Sequence, residues 1–224
     1  MCLLLSYNTI DFMRNFGENP FATPKAESEA EREKRLPKLR GIDFSASEIR
    51  EAIEADKPLQ ISLAFPRRKC NLKCCYCYTT EHVEGDRSIQ SERALELLSD
   101  AETLGAKNVL LPGYGEPFLN KEIWPVLDRA AALGLHVVIF TNGAVLDHEK
   151  IERLKKYPVT LVFKCNSIDP GKEDKIAGVK NYTVKRNKAL QEAIDAGFNK
   201  PDENGDVHLG ISTMVYKDNV ADVI

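Results

Sequence analysis

The spacing of apolar positions changes several times along this chain, and each change marks a different element. Leu59-Gln60-Ile61-Ser62-Leu63-Ala64-Phe65 alternates apolar with small or polar residues, the period-two pattern of a strand. Val109-Leu110-Leu111, Val137-Val138-Ile139-Phe140 and Val159-Thr160-Leu161-Val162-Phe163 are short, almost unbroken apolar runs, as strands covered on both faces require. Val207 to Val215 alternates again and gives a fifth strand. Helical stretches separate these runs. One is capped by Ser91 and ends near Gly105. A second covers Lys121 to Leu133, with Pro125 tolerated near its first turn and Gly134 closing it. A third runs from its cap Asp147 to about Tyr157, and a fourth covers Asn187 to Ala196 and ends at Gly197. Asn219 reads as the cap of one more.

The first fifty-odd residues follow a different pattern. Residues 1–23 show no convincing period, although Phe12, Phe16 and Phe21 offer apolar surface. Thr23-Pro24 opens a helix whose charges alternate in sign as far as Arg35, a solvated face ended by Pro37. Ser45-Ala46-Ser47-Glu48 is a capping box, and Ile49 and Ile53 recur at helical spacing, which predicts a helix to about Asp56. The division expected is an N-terminal helical extension over 1–57 and a core over 58–224.

Strands alternating with helices indicate βαβ units, hence an α/β fold with a parallel sheet. Such folds place their ligands at the carboxyl ends of the strands. Those ends carry the unusual chemistry of this chain. A cysteine-rich loop follows the first strand, Gly113-Tyr114-Gly115-Glu116-Pro117 the second, Thr141-Asn142-Gly143 the third and Lys164-Cys165-Asn166-Ser167 the fourth. Their convergence on one rim makes that rim the candidate active site.

Composition narrows the classes. With 31 basic and 34 acidic side chains the net charge is −3, which gives no reason to expect a nucleic-acid or membrane-surface partner. No apolar run approaches the roughly 18 residues of a membrane span. Met1-Cys2-Leu3-Leu4-Leu5-Ser6-Tyr7 lacks the basic and long apolar regions of a signal peptide. The 6 cysteines are too few for a disulfide scaffold at 224 residues, and their crowding favours metal binding in a reducing cytoplasm.

Within Cys70-Asn71-Leu72-Lys73-Cys74-Cys75-Tyr76-Cys77, three thiols stand at the spacing C-x3-C-x2-C. Thiolates are soft ligands suited to zinc, copper(I) or iron–sulfur clusters. Three readings are open. Cys70, Cys74 and Cys77 hold three irons of a 4Fe–4S cubane and leave the fourth open; or the site is structural zinc, with His82 the nearby candidate for a fourth ligand; or the thiols are unligated. The first is favoured, because Cys75 is poorly placed to join Cys74 on one ion. An electron-transfer cluster wants a fourth cysteine, and Cys165 qualifies only if its strand end reaches the loop. Arg67, Arg68 and Lys69 offset the negative charge of a thiolate-ligated cluster. His82, His136, His148 and His208 share no spacing and are assigned no catalysis.

The cysteine spacing, with an aromatic at Tyr76 and three further loops in order, resembles the radical S-adenosylmethionine (SAM) superfamily. The Cys-Asn-Leu-x-Cys-x-Tyr-Cys form is similar to the branch of molybdenum-cofactor biosynthesis, SPASM-type peptide-modifying and sulfatase-maturing enzymes. The resemblance runs over about residues 59–218. It implies a partial parallel (β/α) barrel, a 4Fe–4S cluster on Cys70, Cys74 and Cys77, and SAM chelating the open iron. Gly113, Gly115 and Glu116 stand where the family has Gly-Gly-Glu-Pro at the methionine amino group, with Tyr114 departing from the pattern. Tyr76 would lie against adenine. Thr141 and Asn142 match the family's Thr-Asn-Gly, and Ser167, in preference to Asn166, matches a polar residue contacting SAM. Lys164 would meet an anionic group. The implied reaction is reductive cleavage of SAM to methionine and a 5′-deoxyadenosyl radical, which takes hydrogen from a peptide or small molecule. An electron donor such as flavodoxin or ferredoxin is implied too. The family barrel usually has six βα units. The five strands counted here imply a core truncated near Ile224, with any cysteine-rich domain beyond. The competing class is a non-enzymatic zinc or electron-transfer iron–sulfur module.

Overall fold

The computed structural model describes residues 37–64, 69–77, 91–217 and 219–222. The expected helix from Thr23 to Arg35, the phenylalanines before it, and Phe65, Arg67, Arg68 and His82 lie outside the described residues.

Five parallel strands form one sheet in the order β1-β2-β3-β4-β5. They are β1 (Gln60–Ser62), β2 (Asn108–Leu111), β3 (His136–Thr141), β4 (Val159–Lys164) and β5 (Leu209–Ser212). Each strand pairs with its successor in the sequence, so every crossover advances the same way. That order is the one a parallel barrel uses, and among the described residues β1 and β5 do not pair. The helices are α1 (Ala46–Glu54), α2 (Ser91–Thr103), α3 (Ile123–Ala132), α4 (His148–Leu154), α5 (Pro170–Ala177) and α6 (Tyr182–Asp195).

The sheet has two apolar faces, which explains the unbroken apolar runs. On the outer face Val109, Leu111, Val137, Ile139, Leu161 and Phe163 meet helical residues at i, i+4 spacing, among them Ala94 with Leu98, Ile123 with Leu127, and Ala189 with Ala193. On the inner face Val138 and Val162 pack against Leu39 and Val207. The segment 37–44 therefore closes the amino end of the strands from within. Leu39 bridges to Val207 in parallel fashion, and Gln60 Nε2 donates to the Gly41 carbonyl at 2.7 Å.

Several local expectations need correction. α5 has no counterpart in the sequence reading, although Asp169 caps it through the Lys172 amide, Pro170 opens it and Gly178 ends it in the left-handed region. α6 begins at Tyr182, earlier than Asn187. A short 3-10 turn, Pro117–Leu119, precedes α3, which starts at Ile123 and not at Lys121. β1 and β5 are shorter than their alternating runs. The capping box at Ser45 and Glu48 forms, but Ile49 and Ile53 remain 43% and 73% exposed, so that periodicity does not mark a buried face. Asn219 is followed by a 3-10 turn, Val220–Asp222, and its side chain accepts from the Tyr216 amide and donates to the Asn166 and Met214 carbonyls.

Candidate functional site

The cysteine loop is fastened at its flank, middle and far end, each time to a different element of the rim. At the start, the Lys69 carbonyl accepts from the Glu116 amide at 2.7 Å, which brings in the loop after β2. Gly115 makes this approach possible. Its φ is +101°, and a Cβ there would stand 2.7 Å from the same carbonyl. Next, Asn142 from the loop after β3 donates through Nδ2 to Asn71 Oδ1 at 2.9 Å, with the same nitrogen 3.9 Å from Cys70 Sγ. In the middle, the amides of Lys73 and Cys75 donate to the carbonyls of Ala177 and Ile176 at the end of α5, at 2.9 and 3.0 Å. At the far end, Asn166 Nδ2 donates to Tyr76 Oη at 3.1 Å, which brings in the loop after β4.

The rim loops are held from behind by buried groups. Glu116 caps the 3-10 turn through the Phe118 amide, and its carboxylate accepts from Thr141 Oγ1 and the Asn142 amide, both at 2.7 Å. Burial pushes its carboxyl up to about 7 against the pull of those donors. Glu116 thus joins the second loop to the third. Tyr182 Oη lies within hydrogen-bonding reach of the Asn142 and Lys164 carbonyls, at 3.1 and 3.4 Å, which links the third loop to the fourth. Glu173 accepts from the amides of Asn166 and Ser167.

All the residues expected at the site that are described stand on this one rim, with different surroundings. Ser167 Oγ donates to Asp222 Oδ2 at 2.6 Å, so its hydroxyl serves the segment after β5. Asn166 is the fourth-loop residue that reaches the cysteine loop. Lys164 Nζ sits 5.6 Å from the centre of the Tyr76 ring, and its charge acts on Cys74. Cys165 is buried, and its thiol lies 3.8 Å from the Ser167 carbonyl. The sequence reading missed Asn71, Glu173, Tyr182 and Arg186; of these, Glu173 was signalled by the Asp169-Pro170 helix start. His136 and His208 meet at the opposite end of the strands, ring centres 5.5 Å apart, and His148 lies on the outside with Glu192.

The donor set can be tested for its fit to a cluster. Cys70, Cys74 and Cys77 are close enough for the charge of one thiolate to disfavour the next. Loss of hydration raises Cys70, and with the Cys70 charge it raises Cys74 to about 11. Cys70 and Cys75 are exposed, and Cys74 and Cys77 are half-buried. Such a group ionises readily only when a metal supplies the positive charge. Among the described residues no three His, Cys, Asp or Glu side chains are gathered as ligands of one ion. A cubane takes each thiolate on a separate iron and does not need two of them on one ion. The residues present fit a three-thiolate cluster.

Comparison with known proteins gives the family and the fold. Residues 65–223 match the radical SAM superfamily. The chain is 31% identical over 159 residues to Fe-coproporphyrin III synthase of Methanosarcina barkeri, covering 70% of this chain and 37% of that protein. It is 27% identical over 138 residues to PqqA peptide cyclase of Granulibacter bethesdensis, covering 61% and 37%. Among solved structures, Streptococcus suis SuiB bound to precursor peptide SuiA superposes with a TM-score of 0.58 at 18% identity, over 96% of this chain and 46% of that one. The structure of native anSMEcpe with bound AdoMet gives 0.55 at 16%, over 69% of this chain and 43% of that one. These two likenesses concern the fold. The chain spans well under half the length of the two sequence relatives. With a family match over most of its length and the family's cysteine spacing at the mouth of a partial barrel, the chain belongs to the radical SAM superfamily.

Proposed function

We propose that residues 58–224 form the SAM-cleaving core of a radical SAM enzyme. Cys70, Cys74 and Cys77 would hold a 4Fe–4S cluster, and the rim would hold SAM. One observation carries this reading: the loops after β2, β3 and β4 each make a hydrogen bond to the cysteine loop, from Glu116, Asn142 and Asn166. A closed structural metal loop has no need of three partners at the strand ends. A site that must present a cofactor against fixed polar groups does.

Each residue has a task in that frame. Gly113, Gly115 and Glu116 present the second loop to the amino group of SAM. Thr141 and Asn142 hold the third loop against Cys70. Tyr76, pinned by Asn166, offers its ring to adenine, with Asn166 and Ser167 on the ribose and carboxylate side. Lys164 supplies a cation for an anionic group of SAM or substrate. When bound, the cluster and SAM together supply a one-electron reductive cleavage that yields methionine and a 5′-deoxyadenosyl radical able to abstract hydrogen. The residues orient that chemistry and shield it from water. The substrate belongs to the peptides or small molecules, and a flavodoxin or ferredoxin serves as electron donor.

The test is anaerobic reconstitution with iron and sulfide, followed by SAM and dithionite. Formation of 5′-deoxyadenosine is expected. Zinc as the sole bound metal, or a cluster that leaves SAM intact, would sink the reading.

A further inference from the structure

Helix α5 touches both halves of the site. Its last carbonyls, Ile176 and Ala177, receive the amides of Cys75 and Lys73 from the cysteine loop. One turn earlier, Glu173 Oε2 accepts from the amides of Asn166 and Ser167, at 2.9 and 2.7 Å. Glu173 is completely buried and faces Arg186, itself 2% exposed, with Nη1 3.8 Å from Oε1. Oε1 has no hydrogen-bond partner. Arg186 spends the same Nη1 on the Lys164 carbonyl at 3.0 Å. Two buried charges from two helices thus grip positions 164, 166 and 167 of one short loop. A buried pair with an unsatisfied oxygen is a poor device for stability, because desolvation offsets most of the attraction. Its geometry is better explained by what it holds. Between the two gripped amides projects the Asn166 side chain, bonded to Tyr76 at one end and to the Met214 amide at the other.

We propose that Glu173 is a positioning residue for SAM. Through α5 it fixes Asn166 and the loop after β4 in register with the cysteine loop that the same helix carries. This rests on the functional reading above, which places SAM between those two loops. A loop that occupies the binding geometry only part of the time weakens apparent affinity by that fraction. Iron binding depends on the thiols and should not change.

The test is SAM titration of the reconstituted, reduced full chain, followed by the change SAM causes in the electron paramagnetic resonance spectrum. Glu173→Gln leaves a carbonyl for the two amides but strips the charge facing Arg186. It should raise the apparent Kd for SAM by about tenfold to a hundredfold at wild-type iron content. Glu173→Asp, which keeps the charge and shortens its reach, should give an intermediate value. Asn166→Ala should weaken SAM as well, and its penalty should not add to that of Glu173→Gln, because the two act as one unit. A wild-type Kd in Glu173→Gln at full iron content overturns the proposal, as do additive penalties. If Glu173→Gln fails to fold, Glu173→Asp decides by the same criterion. A wild-type chain whose spectrum ignores SAM would instead sink the functional reading itself.

Discussion

At the scale of single residues, the thiols and carboxylates of the rim stand in different surroundings. Cys70 and Cys74 feel the charges of their neighbours at the C-x3-C-x2-C positions, Cys77 among them, whereas the Cys75 amide is engaged with the Ile176 carbonyl. Cys70→Ala, Cys74→Ala or Cys77→Ala should each abolish cluster assembly, and Cys75→Ala should leave iron and sulfide content unchanged in the reconstituted chain. Glu116 takes three donors. Glu116→Gln turns one acceptor into a donor facing a donor. A loss of about 1–3 kcal/mol is expected, read by urea denaturation. At the other end of the strands, Thr160 Oγ1 donates to the Arg40 carbonyl and so accepts from His136, which places the imidazole hydrogen on Nε2. Burial, reinforced by the charges of His208 and Arg40, holds His136 down at about 3. The unfolded chain takes up a proton below about 6.5 that the folded chain refuses. Stability from this group is full above about 6.5 and is lost as the pH falls toward 3. Glu116 works the other way, because its raised carboxyl favours the folded chain at low pH and loses that effect as the pH rises through about 7. The difference between wild type and His136→Gln isolates the histidine: the wild-type advantage should shrink by about 2 kcal/mol between pH 7 and 5. An unchanged difference in urea denaturation at the two pH values would refute the assignment.

At the scale of elements, α5 has the largest consequences for its length. Its cap and its end are both exacting. Asp169→Ala removes the cap on the Lys172 amide and should cost about 1 kcal/mol, measured as a fall in the unfolding midpoint. Gly178 lies at φ +67°, where an added Cβ would stand 2.5 Å from the Lys73 carbonyl. Gly178→Ala should push the cysteine loop off the helix and speed iron loss to a chelator. The element most informative about the site was also the one least legible in the sequence. The strands were legible because both faces of the sheet are covered, so the apolar runs are long and unambiguous. The rim loops were legible because glycines, prolines and cysteines mark them. α5 has only eight residues, and its buried inward positions are Glu173, Ile176 and Ala177, so a charge stands where an apolar periodicity would be sought. Ile49 and Ile53 show the converse: helical spacing of apolar residues without burial. Asn166 bonds to Tyr76 and Ser167 to Asp222, and no spacing rule encodes which way each side chain leaves the turn.

At the scale of the molecule, the two ends of the sheet have separate jobs. The amino end is sealed by residues 37–44, with Leu39, His136, Thr160 and His208 packed or bonded there. The carboxyl end carries the cysteine loop, bonded to three rim loops and α5. Among the described residues no helix is long and apolar enough to cross a membrane. Among the described residues the sheet is open between β1 and β5, and Lys164, the last residue of β4, stands over the Tyr76 ring of the cysteine loop. In the function proposed above, three protein thiolates leave one iron free and SAM occupies it. The most direct measurement is hyperfine spectroscopy of the reduced, reconstituted chain, with SAM isotopically labelled at the methionyl amino nitrogen and carboxylate oxygens. Couplings from both labels to the cluster spin are predicted, and they should vanish with unlabelled SAM. Spectra identical with labelled and unlabelled SAM, from a cluster that is intact and reduced, would contradict the account.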